Sequence, residues 1–422
     1  MVSNTSKSKH TAIRYAGTWL NFPLALVGST LLLPVWSYNA VVAKMSGCTI
    51  WIKQNKVDAF GRNVGLHKFN KGILRSSAQL IDVLFYKLSL VGVPVTHRLQ
   101  YESQQQLAEH YKAPTGIYCD FDNQAAVGLK ENEKHVVLEQ QLKGSSLHFL
   151  TTFLKGLFIQ LFFPIDKKNK TPKVAKLFGL PINNVQMQEA IEWVCSQQQT
   201  VTSSNNKIAF FVNAHSVNLS AKSNKFKQQL LLASRLFADG SGMRLAAQFN
   251  GIHLQANING TDMLPKLCEK AASAKQSIFL LGGKPNVAIK AAKNLTSTYQ
   301  ELQIAGCEDG FFDKDNEQVN EELIQKINDS GADILLVGLG SPVQETWCLK
   351  NAQQLNCKRI LAVGGLFDYF SGSIARAPAW MRELGLEWIW RLIQEPKTKF
   401  SRYVIGTPEF LFRLLFNKLS NQ

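Results

Sequence analysis

Apolar and polar positions follow two different rhythms along this chain, and the change comes near residue 175. Upstream, long apolar stretches dominate. No charged residue stands between Arg14 and Lys44, and Ala16 to Trp36 is mostly apolar. Such a run is long enough to span a bilayer. Pro23 and Pro34 lie inside it, and a proline removes a backbone donor and kinks a helix. A broken segment that enters one leaflet and returns therefore fits as well as a clean span, and a buried core helix is the plain alternative. Lys7, Lys9 and Arg14 before the run, with Lys44, Lys53 and Lys56 after it, would keep both ends on the cytoplasmic face. No small-x-small cleavage site follows. The upstream part closes with Leu147 to Phe163, which reads as an amphipathic surface helix or a core helix. Asp166 to Lys173, charged and containing a proline, reads as an exposed linker.

Downstream, short apolar runs suited to buried strands alternate with helical periodicity. The runs are Lys207 to Val212, Ser277 to Leu281, Leu302 to Ala305, Ile334 to Val337 and Arg359 to Val363. Between them, apolar positions at Val287, Ile289, Ala291, Ala292 and Leu295 predict one helix, and Val319 to Ile327 another. Strands separated by single helices need crossovers, so the pattern predicts a Rossmann-like α/β fold with a mostly parallel sheet and helices on both faces. The organisation expected is a smaller α-rich membrane-associated module over 1–163 and a basic linker over 164–175. An α/β domain over 176–375 and a helical appendage over 376–422 complete it.

Ligands of such sheets sit beyond the carboxyl ends of the strands. Three strand ends are glycine-rich here: Gly282-Gly283, Gly338 to Ser341, and Gly364-Gly365. Glycine also simply closes turns, but three such ends on one edge favour a nucleotide-diphosphate pocket, where backbone can approach a phosphate. Neither G-x-G-x-x-G nor G-x-x-x-x-G-K-[ST] occurs, which argues against dinucleotide and P-loop chemistry.

Composition narrows the partners. The net charge of +16 calls for something negative: nucleic acid, anionic lipid or sugar-nucleotide phosphate. The seven cysteines are scattered with no C-x-x-C, against a zinc site or a disulfide framework. Asp120-Phe-Asp122 and Asp313-Lys-Asp315 spell D-x-D, yet the first lies outside the α/β part and the second in a turn-rich loop, so neither is assigned a metal. From Arg376 onward, Arg376, Arg382, Arg391, Arg402 and Arg413 alternate with Trp380, Trp388, Trp390, Phe400 and Tyr403. This tail is too apolar for nucleic acid and suits a lipid headgroup layer.

Particular motifs then resemble a known family. Asn213-Ala-His-Ser-Val217, Ala238-Asp239-Gly240, Phe279 to Pro285, Gly338 to Glu345, Val363 to Gly372, Arg376 to Arg382, Gly385-Leu-Glu-Trp388 and Gln394-Glu-Pro396 stand in its order. Together they resemble the WecG/TagA/CpsF glycosyltransferases over about 176–422. The resemblance implies an inverting transfer of an N-acetylmannosamine-type sugar from a UDP donor to an undecaprenyl-diphosphate-linked sugar, in bacterial cell-surface polysaccharide synthesis. It implies no cofactor, and it implies work at the cytoplasmic face of the membrane beside other glycan-assembly enzymes or a second copy of the chain. An inverting transfer needs one base for the acceptor hydroxyl and dipoles or cations for the leaving diphosphate. By resemblance Asp239 is the base, although a turn aspartate serving backbone donors is its plain reading. Asn213 and Gln344 resemble pocket residues, and Asp368 is a further candidate whose plain role is to cap the segment after it. Gly282 and Gly283 stand at the phosphate edge, and the planar forks of Arg376, Arg382, Arg391 and Arg402 suit diphosphate oxygens, Arg391 matching a family arginine. Two positions depart from the family: Phe211 stands where a threonine is usual, and Lys397-Thr398 where paired arginines are.

Residues 12–163 more faintly resemble the monotopic bacterial sugar transferases that start lipid-linked glycans, through His67-Lys-Phe69, Gln79 to Leu84 and Leu88 to Gly92. The family's Asp-Glu dyad is missing: Arg75-Ser-Ser-Ala78 precedes the matching segment and the first acid after Lys71 is Asp82. Without a nucleophile the phosphosugar step cannot run, so this half reads as an inactive relative. A non-catalytic membrane scaffold docking with the initiating enzyme is the competing reading for the whole chain.

Overall fold

The computed structural model describes residues 18–58, 62–71, 75–94, 114–120, 141, 145–162, 170–196 and 207–419. The chain divides into two compact units, Met1–Pro164 and Ile165–Gln422. Lys7, Lys9 and Arg14 lie outside the described residues, as does the first half of the expected linker.

The first unit opens with α1 (Asn21–Leu31) and α2 (Leu33–Met45), bent by 59° where they meet. Pro34 stands in the first turn of α2, where a missing N–H leaves no bond unmade, so it starts a helix there. Pro23 likewise stands in the first turn of α1 and does not interrupt it. Helix continues to Met45, past the apolar run's expected end at Trp36. Among the described residues no single helix is long and apolar enough to cross a membrane, whereas this bent pair together is, by length and composition. One face of α1 packs inward, with Gly28 against Leu80. Phe22, Leu26, Val27, Leu31 and Leu33 are exposed.

The hairpin of β1 (Trp51–Val57) and β2 (Asn63–Phe69) follows, then α3 (Gln79–Leu84). Next come β3 (Ser89–Val91), β4 (Val93–Pro94) and β5 (Thr115–Tyr118), a parallel sheet in the order β3-β5-β4, and then α4 (Ser146–Phe162). Asp82 on α3 is fully buried and accepts from the His67 backbone N at 2.8 Å and from Nδ1 at 2.7 Å, tying α3 to β2.

The second unit begins with the antiparallel pair β6 (Val174–Leu177) and β7 (Leu180–Asn183), then α5 (Met187–Cys195). The main sheet has six strands: β8 (Ile208–Val212), β9 (Arg235–Ala238), β10 (Ser277–Gly282), β11 (Gln303–Glu308), β12 (Ile334–Gly338) and β13 (Arg359–Ala362). They lie in the order β11-β10-β12-β13-β8-β9, every pair parallel. Apolar runs therefore appear where both faces are covered. Phe210 and Val212 face a core shared with α6 (Ala214–Lys222), α7 (Asn224–Leu231) and α8 (Ser241–Phe249). Ala209 and Phe211 face the opposite core, shared with α5, α9 (Gly260–Ser273) and α10 (Val287–Thr298). On the first face lie also α11 (Glu317–Asp329) and α12 (Val343–Asn351); on the second, α13 (Leu366–Phe370).

The predicted strands appear within a residue or two, apart from β11, which runs on to Glu308. Within the six-stranded sheet, β9 is the strand that hydropathy did not single out. It is an edge strand of four residues between helices, too short for a periodic signal.

The chain ends in short helices, α14 (Ala379–Glu383), α15 (Glu387–Gln394) and α16 (Pro396–Phe400), a π-helical turn at Ser401–Ile405, and α17 (Gly406–Leu419). This tail is fastened to the α/β body. Phe410 is 2% exposed, packs 5.6 Å from the Phe178 ring centroid and lies over Gly242. Asn218 Nδ2 donates to Gly406 O at 2.7 Å, and Ser241 Oγ to Gly385 O at 3.0 Å. Phe410→Ala should destabilise the second unit by about 3–5 kcal/mol, read as an earlier denaturant midpoint. An unchanged midpoint would show that the tail is not part of this core.

Candidate active site

Five strand ends converge on one edge of the sheet. β9 delivers Asp239, whose backbone N donates to Val212 O at 2.9 Å and so extends the pairing with β8 by one residue. β8 delivers Asn213. Its Oδ1 accepts from the backbone N of His215 and of Ser216, both at 3.1 Å, which caps α6. Its Nδ2 is left pointing outward and donates to Asp239 Oδ2 at 3.1 Å. The carboxylate is thus oriented by a residue that its helix already holds rigid. After Asp239, Gly240 turns at φ +87°, and its N–H donates to Asn257 Oδ1 at 2.7 Å.

Burial pushes the Asp239 carboxyl up, against the opposing effects of the Asn213 hydrogen bond and the Arg402 charge. A carboxylate with a raised pKa is a stronger base than one in water. His215, beside it, is driven the other way: burial, then Arg402, Lys399 and Lys222, hold its imidazole down at about 4, so it is neutral at pH 7.

The three glycine-rich ends sit next to one another. A Cβ on Gly282 would stand 2.4 Å from Gly338 O, and one on Gly338 would stand 2.7 Å from Gly364 O, so neither position has room for a side chain. Their bareness is set first by strand packing. Two of the amides are engaged internally: Gly283 N donates to Gly338 O at 3.1 Å, and Gly364 N to Gln344 Oε1 at 2.9 Å. Gln344 spends its other end inside the protein as well, with Nε2 3.3 Å from Ser341 Oγ and 3.1 Å from Glu345 Oε1. It braces the loop after β12 to the loop after β13.

The tail brings the cations. Arg391 is 5% exposed; its Nη2 donates to Asp368 Oδ2 at 2.7 Å, its Nε lies 2.6 Å from Glu395 Oε2, and its guanidinium covers the Tyr369 ring at 4.9 Å. Gly365 leaves space for that pair. Arg376 forms an ion pair with Asp262 at the start of α9. Arg402, on the π-helical turn, acts electrostatically on both Asp239 and His215. Arg382 acts with Arg376 and Arg391 on Glu387. Phe211 points away from the site, its ring 5.8 Å from that of Phe237 in the core.

Several residues of the site went unremarked in the sequence. Glu387, within Gly385-Leu-Glu-Trp388, is a second carboxyl raised by burial and by Asp239, with Oε1 buried and without a hydrogen-bond partner. Asn257 and Glu345 join it, and Tyr403, read above only as a headgroup aromatic, feels the same charges. The signal for two of them was present, since Glu387 and Glu345 lie inside the quoted motifs, but an acid inside an apolar helix start reads as a cap. Among the described residues, no group of three or more His, Cys, Asp or Glu side chains is placed to hold a metal ion. Asp313 Oδ1 accepts from Asp315 N at 3.0 Å, an Asx-type turn. Asp120 accepts from Thr152 Oγ1 at 2.8 Å, and Asp122 lies outside the described residues.

An oriented carboxylate beside guanidinium groups, at the carboxyl edge of a parallel sheet, is an arrangement suited to group transfer, and the chain carries a glycosyltransferase domain. It belongs to the glycosyl transferase WecG/TagA/CpsF family, whose profile matches residues 175–422. Two N-acetylglucosaminyldiphosphoundecaprenol N-acetyl-beta-D-mannosaminyltransferases are similar to it. That of Bacillus subtilis (strain 168) is 35% identical over 162 residues, 38% of this chain and 61% of the relative, so the match spans less than two thirds of that protein. That of Bacillus spizizenii is 29% identical over 238 residues, 56% of this chain and 90% of the relative.

The two tasks of Asn213 are separable. Asn213→Asp keeps a good helix cap, so stability should change by less than about 1 kcal/mol. It also sets a second carboxylate beside Asp239 in place of a donor, which should move the acid limb of the activity profile to higher pH. An unmoved limb would show that Nδ2 does not tune Asp239.

Proposed function

We propose that this chain transfers an N-acetylmannosamine-type sugar from a UDP donor to an undecaprenyl-diphosphate-linked N-acetylglucosamine, with inversion. The observation that carries the reading is the Asp239 carboxylate, held at 3.1 Å by the cap residue Asn213. In the reaction, the acceptor hydroxyl oxygen attacks the anomeric carbon while Asp239 takes the hydroxyl proton. The bond from that carbon to the UDP oxygen breaks as the new one forms, and UDP leaves with the electron pair. Negative charge grows on the diphosphate, and the arginines of the tail with the helix N-termini beyond β8 and β9 offset it.

The acceptor sits on a lipid, and the second unit has a surface suited to one. Trp380, Ile393, Phe400, Ile405 and Phe412 are exposed on the tail that carries the arginines. Aromatic rings beside cations favour the headgroup layer of an anionic membrane. The first unit we read as an inactive sugar-transferase relative that adds an anchor at the cytoplasmic face. The exposed apolar face of α1 and α2 supports that reading.

Purified full-length protein in detergent should release UDP from UDP-N-acetylmannosamine only when a prenyl-diphosphate N-acetylglucosamine is present. Asp239→Asn should lower kcat by about 10²- to 10⁴-fold with little change in KM for the donor. In the parent enzyme kcat/KM should fall as pH drops through the raised Asp239 pKa, at a midpoint above the usual carboxylate range, because the base must be ionised to accept a proton. Full activity in the Asn variant would remove Asp239 from the chemistry.

A further inference from the structure

Glu345 is a buried acid with no role in the steps above. It is 1% exposed. Its Oε1 lies 2.6 Å from Ser341 Oγ and 3.1 Å from Gln344 Nε2, while Oε2 is buried with no hydrogen-bond partner. The groups acting on it include no lysine or arginine among the described residues, and burial pushes its carboxyl up. An ionised carboxylate here would leave a charged oxygen buried without a donor or counter-charge, the costliest arrangement available to it.

A proton on Oε1 resolves the accounting. The 2.6 Å contact then runs from the acid O–H to Ser341 Oγ, and Gln344 Nε2 can still donate to either oxygen. Ser341 Oγ now accepts inside the network, so its own hydrogen is released from it. Ser341 is partly exposed and stands just past β12, in the loop beside Gly338 to Gly340. That is the edge at which a parallel α/β sheet receives phosphate groups. We propose that Glu345 is a positioning residue: as a neutral acid it donates to Ser341 Oγ and thereby turns the Ser341 hydroxyl into a donor for a diphosphate oxygen of the nucleotide. A charged Glu345 would do the reverse, drawing the Ser341 hydrogen inward and presenting lone pairs to an anion.

The nucleotide half of this inference rests on the UDP-sugar reading; the protonation half does not. The test uses the full-length protein with Ser341→Ala, Glu345→Leu, Glu345→Gln and the Ser341→Ala/Glu345→Leu double variant. Ser341→Ala and Glu345→Leu should each weaken UDP binding in calorimetry, and raise KM for the donor, by about tenfold or more with a smaller change in kcat. The double variant should be no worse than either single one, since both remove the same donor. Glu345→Gln, whose amide N–H also reaches Oγ, should restore binding to within about threefold of the parent. Infrared difference spectra should show a protonated-carboxyl C=O band at neutral pH that Glu345→Gln removes.

If Glu345→Leu does not fold, Ser341→Ala and Glu345→Gln still decide the matter. A Gln variant as impaired as Ser341→Ala, additive losses in the double variant, or absence of the infrared band would overturn the proposal. If the parent protein binds no UDP, the functional reading fails, and the infrared band alone judges the neutral acid.

Discussion

The side chain of Asn213 holds two structures together with its two ends. The oxygen end satisfies the first turn of α6, and the nitrogen end reaches the carboxylate that closes β9. An aspartate could cap the helix but would repel Asp239, and a serine could cap it but has no second arm. The geometry of the candidate base follows from this one amide, because β8 and β9 are parallel neighbours whose ends come level at Val212 and Ala238.

The tail is the second half of that arrangement. An α/β sheet alone leaves Asp239 at an open edge with helix N-termini for company. Phe410, Asn218 and Ser241 fasten the tail over that edge, and the arginines arrive with it. The charge of Arg402 and the Asn213 hydrogen bond oppose the burial that raises Asp239. Two other acids in the cleft experience the same burial with different company. Glu387 lies among arginines, whereas Glu345 is acted on by no cation among the described residues and sits against a serine and an amide. The same carboxyl chemistry thus meets three different surroundings.

Much of the fold was legible because a doubly covered parallel sheet writes itself as uninterrupted apolar runs. β8, β10, β12 and β13 are almost wholly buried, and each stands out in the sequence. β9 did not, being a four-residue edge strand, and neither did β1 and β2, which are partly exposed along their length. Asp239 and Asn213 were marked by motif, and the structure brings them into contact. The roles of Gly283 and Gln344 were not legible, because hydrogen bonding across strand ends depends on which strands become neighbours. Gln344 reads as a pocket residue at its strand end, but β12 and β13 adjoin, and its amide is used to join their loops. Phe211 shows the same limit: only the sheet order reveals that its ring goes to the core with Phe237.

A single displacement with one base and no enzyme nucleophile has a stereochemical signature. The most direct measurement is the anomeric configuration of the freshly formed glycosidic bond, read by NMR on product made from an α-linked UDP-sugar. The account predicts a β-linked product, inverted at the anomeric carbon. A retained α configuration would contradict it, because retention requires either a covalent intermediate or front-face attack, and neither is served by Asp239 as the base on the acceptor.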